Sequence, residues 1–248
     1  MENDQRLELI HPAWKLPVGA VTTTRSGGVS EAAYACFNLG DHVGDDALTV
    51  AKNRALLAKH LNLRRLVWVQ QVHGINVHRV GRDLRTPDVA VDALWTDQKS
   101  VGLCILTADC LPIFIADADG SLVAMVHGGW RSLAGGIIQK LGVRLLGLSD
   151  QLVGWIGPGI SAANYQVGEE FISEIERAYG SHVAKQVCKS RGGGDWFADL
   201  NVLASWCMQD TGIHVVGSSG FCSYADRRFY SYRKQQITGR MASVIWIP

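Results

Sequence analysis

An α/β sandwich, with mixed β-sheets flanked by helices, is the fold class this sequence predicts. Three observations lead there. Nine short apolar runs read as strands, and several are apolar throughout, as strands covered on both faces are. Some of these runs follow one another through tight turns, which makes antiparallel neighbours. Four helix-like segments are interspersed among them. A pure doubly wound parallel sheet fits less well, and neither GxxxxGK[ST] nor GxGxxG occurs to support a nucleotide-binding version of one.

Taken in order, "VGAVTTT" (residues 18–24) is the first strand. "DDALTVAKNRALLAKHLNL" follows as a helix, with apolar residues at Leu48, Leu56, Leu57 and Leu61 and turn-like residues at its end. "LVWVQQV" and "INVHRV" are strands separated by a turn at Gly74. "VGLCILT" and "PIFIAD" come next, and a hairpin at Asp119-Gly120 leads into "LVAMVH". "WRSLAGGIIQKLGVRLLGL" reads as one helix with a broad apolar face, whose Gly135, Gly136 and Gly142 imply close packing on another element. After the strand "LVGWIG", "VGEEFISEIERAYG" is a helix with acids in its first turn and Gly180 just past its end. "SRGGGDW" (190–196) is a flexible surface loop. "DLNVLASWCMQDTG" is a helix capped by Asp199 and stopped by Gly212, and "IHVVG" and "ASVIWI" complete the strands. No internal repeat or composition break divides the chain, so one domain spanning residues 1–248 is expected.

Composition narrows the function classes. Lys plus Arg number 24 against 23 for Asp plus Glu, and no basic stripe is visible, so nucleic acid is not the expected partner. Apolar runs fall far short of the ~20 residues that span a bilayer, and the start lacks the pattern of a signal peptide. A cytoplasmic, membrane-free location is expected. The six cysteines contain no CxxC pair, and a reducing compartment argues against a disulfide framework. The default for each is a small buried hydrophobe.

Three residues depart from their defaults by position. Cys110 follows "VGLCILT"; His73 ends "LVWVQQV"; His127 ends "LVAMV". All three sit at strand ends. Two imidazoles and a thiolate make a first shell for zinc, with the fourth position left for water or substrate; copper accepts the same donors. Two other readings of these residues stay open. Cys110 can be a nucleophile with His127 as its base and Asp109 or another acid orienting the ring, or all three can be ordinary core side chains. His42, in the Gly- and Asp-rich loop "NLGDHVGDD", is a further candidate.

The motifs "TTTRSGGVS", "NLGDHVGDD", "WVQQVHG", "TADCLP", "VHGGWRSLAGG", "GPGISAANYQVGEE", "FYSYR" and "TGRMASVIWI", in this order, resemble the YfiH family, also called laccase-domain proteins or PgeF. The resemblance runs from about Gly19 to Ile247. It departs from the family pattern at Gly128, Ser132 and Gln166. It implies an α/β sandwich related to a bacterial deamidating toxin that uses a Cys–His pair. It implies zinc, or copper, on His73, Cys110 and His127, which would also be the catalytic residues. It implies phosphorolysis of adenosine, inosine, guanosine and S-methyl-5'-thioadenosine, with deamination of adenosine; oxidation of phenols and editing of peptidoglycan precursors are the family's other associations.

For such substrates, purine nucleosides and phosphate, the sequence offers further residues. Arg25, beside Gly27 and Gly28, is the first candidate for phosphate, Arg240 the second. The helix opening after "HGGWR" is expected to direct its positive end at an anion. Asn38 and Gln71 offer hydrogen bonds to sugar or base. Asp109 is expected to orient a ligand histidine, and Trp130 reads as core packing.

Overall fold

The computed structural model describes residues 7–82 and 87–248. The strands are β1 (Leu9–Ile10), β2 (Gly19–Thr23), β3 (Arg65–Val67), β4 (Val77–Arg79), β5 (Ala93–Thr96), β6 (Val101–Thr107), β7 (Leu111–Asp117), β8 (Val123–Gly128), β9 (Leu152–Ile156), β10 (Gln166–Val167), β11 (Cys188–Ser190), β12 (Trp196–Ala198), β13 (His214–Ser218) and β14 (Met241–Trp246). The helices are α1 (Ala47–Leu61), α2 (Trp130–Ala134), α3 (Ile137–Leu145), α4 (Glu169–Tyr179), α5 (Ser181–Val187) and α6 (Leu200–Asp210). A five-stranded sheet runs β1-β2-β14-β6-β3, a six-stranded one β13-β9-β7-β8-β5-β4, and a small one β10-β12-β11. Parallel and antiparallel pairs occur in both large sheets, so the fold is the mixed α/β sandwich expected.

The wholly apolar strands are explained by their side-chain alternation. On β6, Leu103 and Ile105 pack into the core between the two large sheets, while Cys104 and Leu106 pack with Leu57 of α1. On β7, Phe114 and Ala116 enter that same inter-sheet core, while Ile113 and Ile115 meet α2 to α6. Each large sheet therefore carries a sister sheet on one face and helix on the other, which demands apolar residues at both parities.

Several local expectations hold. Asp199 caps α6, its carboxylate accepting from the Asn201 and Val202 N–H groups at 2.9 and 3.2 Å. The Asp119-Gly120 turn joins β7 and β8 antiparallel. Other elements differ from the sequence reading. The long helix after Trp130 breaks in two at Gly135-Gly136: Gly136 takes φ +83°, and a Cβ on Gly135 would lie 2.7 Å from Ile75 Cγ2. With only five residues, α2 has no extended dipole to aim at an anion. The turn at Gly74 is not a hairpin, because β3 belongs to the five-stranded sheet and β4 to the six-stranded one. "SRGGGDW" is for the most part the exposed surface loop expected, the tip of the β11–β12 hairpin, with Ser190 ending β11 and Trp196 opening β12. Strand β5, helix α5 and the small sheet add to the elements read from the sequence.

Candidate metal centre

Two chain crossings between the large sheets bring the candidate ligands together. His73 lies on the connection from β3 to β4, and Cys110 on the short turn from β6 to β7. His127 needs no crossing; it is the penultimate residue of β8, paired with Pro112 of β7, two residues from Cys110. The donor atoms of His73, Cys110 and His127 all lie within 4.8 Å of one another. A tetrahedron of zinc bonds of about 2.0–2.3 Å sets its ligand atoms about 3.3–3.8 Å apart, about 1 Å inside that limit, a difference side-chain rotation can close. The imidazole rings of His73 and His127 meet edge-on, centroids 4.7 Å apart. His127 is buried, Cys110 half-buried and His73 exposed at the rim, so the donors grade from core to solvent. Among the described residues this is the one such group.

The backbone at two of these points takes unusual dihedrals. His73 has φ +57° and Asp109, next to Cys110, has φ +104°. Non-glycine residues persist in such conformations only when their surroundings hold them there. Two devices do so. The Gln71 amide donates to the Leu106 carbonyl and accepts from its N–H, both at 2.8 Å, which ties the His73 loop to the strand that delivers Cys110. Asp92 accepts from the N–H groups of Val72, His73 and Gly74 at 3.2, 3.0 and 2.8 Å.

Asp92 also orients His127. Its Oδ1 stands 2.7 Å from His127 Nδ1, and both residues are buried. A carboxylate there puts the proton on Nδ1 and leaves Nε2 as the donor for a metal. The adjacency follows from register: Ala93 of β5 pairs with Val126 of β8, so the residues before and after them face each other. Burial raises the Asp92 pKa, but the His127 hydrogen bond and the loop N–H groups outweigh it and hold the carboxyl below its usual range. Burial disfavours imidazolium at His127, yet the nearby charges of Cys110 and Asp92 push its pKa up to about 9. His73 moves the other way: its residue reaches the rim, but partial desolvation of the ring, and then the positive charge of His127, lower its pKa.

The group lies in a cleft of about 480 Å³, within the range of about 300–1,000 Å³ for small-molecule sites. Gln71, Asp109 and Arg240 line it with the three donors, as does His42. Arg240 is turned inward by backbone contacts: its N–H donates to Asn38 Oδ1, and Nη1 donates to the carbonyls of Thr238 and Gly239. Among the described residues it has no carboxylate within salt-bridge distance. Burial lowers its pKa, with the charges of Cys110 and Asp109 acting against that.

Two predicted residues lie elsewhere, and one has a different task. Asn38 is fully buried outside the cleft wall; its amide donates to Gly40 O and Asp45 Oδ2, and its oxygen accepts from the N–H groups of Gly40 and Arg240. It holds Arg240 and has no group left for a substrate. Arg25 lines a separate cleft. Asp109 does not orient a histidine: it accepts from Ser223 Oγ at 2.7 Å and the Arg233 N–H at 2.6 Å. Asp92 does that work. Its sequence signal was a carboxylate inside the apolar run "VAVDALW". Tyr165, Tyr232 and Arg233 were also missed, and Trp130 is a cleft wall as well as packing on Phe171.

A mixed α/β sandwich with a His–Cys–His donor group at the edge where its sheets are joined defines the structural class. The chain belongs to the YfiH family; the matching family model, described as multi-copper polyphenol oxidoreductase laccase, covers residues 19–248. A purine nucleoside phosphorylase of Pseudomonas aeruginosa is 39% identical over 242 residues, 95% of this chain and 97% of that one. The purine nucleoside phosphorylase YfiH of Escherichia coli K12 is 34% identical over 245 residues, 97% and 99% of the two chains. A solved Neisseria meningitidis protein superposes with a TM-score of 0.89 at 32% identity, covering 97% of this chain and 98% of that one.

Proposed function

We propose that the protein is a zinc-dependent purine nucleoside enzyme, phosphorolysing adenosine, inosine, guanosine and S-methyl-5'-thioadenosine and deaminating adenosine. The observation that carries this reading is the convergence of His73, Cys110 and His127 at a cleft also lined by Arg240. The names of relatives matching nearly end to end support the substrate class.

The donor set fits zinc: one sulfur, two nitrogens, and an outer carboxylate on the buried histidine. When bound, the ion supplies Lewis acidity for polarising a substrate or activating water. The chain's own residues do the rest. Trp130, Tyr165 and Tyr232 offer flat walls for a purine. Arg240 and Arg233, which line the cleft, would hold phosphate while its oxygen bonds to the anomeric carbon, the glycosidic C–N bond breaks and the purine leaves with that electron pair and takes up a proton. Asp92 fixes His127, and Gln71 fixes the spacing of His73 from Cys110. Copper is the other candidate metal for the same donors; among the described residues no methionine lines the cleft to give the weak axial ligand of blue-copper sites, and the amide of Gln71, the alternative, is engaged by Leu106.

The test is incubation with adenosine, with and without phosphate. Adenine and ribose 1-phosphate should appear only with phosphate, and inosine without it. Cys110→Ala should lose both activities and the bound zinc; full activity in that variant refutes the assignment.

A second reading rests on Asp92. Cys110, His127 and Asp92 form the nucleophile, base and orienting acid of a cysteine hydrolase or amidase, for which a peptidoglycan precursor would be the substrate. Such an enzyme survives chelation and is killed by iodoacetamide; the zinc enzyme is inactivated by chelation and restored by zinc.

A further inference from the structure

The segment from Phe229 to Arg240 lines two clefts. Tyr232, Arg233 and Arg240 face the metal-binding one; Ser231, Lys234 and Thr238 face a second, of about 460 Å³. The charges on the second cleft are one-sided. Arg25, Arg227 and Lys234 line it against a single acid, Asp226. That acid is committed: the Arg228 guanidinium reaches both its oxygens at 2.7–3.2 Å, and the Arg228 N–H adds a bond at 3.0 Å. The hydrogen bonds from Arg228 hold the Asp226 carboxyl below its usual pKa, in keeping with a fixed pair.

Arg25 is the fixed point of the cleft. Its N–H donates to the Arg228 carbonyl at 2.8 Å, and its own carbonyl accepts from the N–H groups of Cys36 and Phe37. Its Nε donates to Ala35 O at 2.7 Å, and its guanidinium carbon lies 4.8 Å from the centre of the Tyr230 ring. The backbone and one edge of the guanidinium are thus held, while its two terminal nitrogens make no hydrogen bond among the described residues. No described carboxylate lies within salt-bridge distance of it either. A half-buried, rigid guanidinium without a counter-charge lacks the acceptor that its planar fork fits, and an oxyanion supplies one. Ser231, buried on the same wall, accepts from the Lys234 N–H at 3.2 Å and keeps its own proton to donate.

We propose that this cleft is a binding site for a phosphate group, gripped by Arg25 with Arg227 and Lys234, separate from the metal-binding cleft. It does not depend on the nucleoside reading. The phosphate can come as the free ion or on a monoester, and the cleft recognises the chemistry the two share.

Equilibrium dialysis of the full chain tests this, with inorganic phosphate in one arm and ribose 5-phosphate in the other. Saturable binding is expected in at least one arm, and the tighter arm identifies the source. The double variant Arg227→Ala/Lys234→Ala, both exposed positions, should weaken it by about tenfold or more, about 1.4 kcal/mol. Arg25→Lys, which keeps the charge and loses the fork, should also weaken it while circular dichroism stays unchanged. Arg240→Ala should leave this component in place, which separates it from phosphate held in the first cleft. Binding by the double variant equal to the unaltered protein, or no saturable binding in either arm up to millimolar concentration, overturns the proposal. Binding here without turnover of any nucleoside would sink the nucleoside reading alone.

Discussion

The floor and the wall of the metal-binding cleft are each organised around a buried aspartate, and the two do different work. On the floor, Asp92 gathers three consecutive N–H groups of the His73 loop and the Nδ1 of His127. On the wall, Asp109 gathers Ser223 Oγ and the Arg233 N–H, tying the segment 229–240 to the turn that carries Cys110. The first fixes donor atoms; the second fixes the side chains that face a substrate. Both carboxylates meet their partners with hydrogen bonds, as buried charges must. Metal retention and substrate affinity should therefore be separable by mutation, although Asp109 of the wall is next in sequence to the donor Cys110.

The largest effect should come from Cys110→Ala, which removes a donor and should lower zinc affinity by more than the about 10–100-fold that loss of an outer partner costs. Metal analysis after dialysis checks this. Asp92→Asn should itself cost about 10–100-fold in zinc affinity. Asp92→Ala should in addition destabilise the fold by about 1–3 kcal/mol, since it leaves the buried Nδ1 of His127 and the part-buried N–H groups of the His73 loop without their acceptor; urea unfolding measures that. Gly129→Ala probes the floor by volume alone. The residue has φ −69°, which alanine tolerates, but its Cβ would fall 2.5 Å from His73 Nδ1. Overpacking costs about 1–3 kcal/mol, and the exposed histidine should yield, so zinc binding weakens while thermal unfolding barely moves. Ser223→Ala should be smallest, about 1 kcal/mol. It should raise KM for nucleoside and leave zinc content alone; a loss of zinc there would erase the division between floor and wall.

Much of this was legible in the sequence. The inward and outward alternation of β6 and β7 was hidden, because both faces are covered, yet that same feature marked them as buried strands. His73, Cys110 and His127 stood out because each closes an apolar run, and strand ends are where a sandwich exposes side chains to a cleft. Asp92 was illegible as an orienting group because its role depends on the β5–β8 register, which links residues 35 apart. Arg25 was misplaced for a related reason. Its flanking glycines marked a functional loop, but only tertiary packing on Tyr230 decides which cleft it faces. The break at Gly135-Gly136 was hidden because two adjacent glycines permit either a continuous helix or a turn, while the close packing read from Gly135 and Gly142 holds, a Cβ there meeting Ile75 and Thr211.

Zinc-edge X-ray absorption on the purified protein tests the central claim most directly. One zinc per chain is expected, with a shell containing one sulfur and two imidazole nitrogens, and with the sulfur lost from that shell in Cys110→Ala. A shell without sulfur in the unaltered protein, or one unchanged by that substitution, would contradict it.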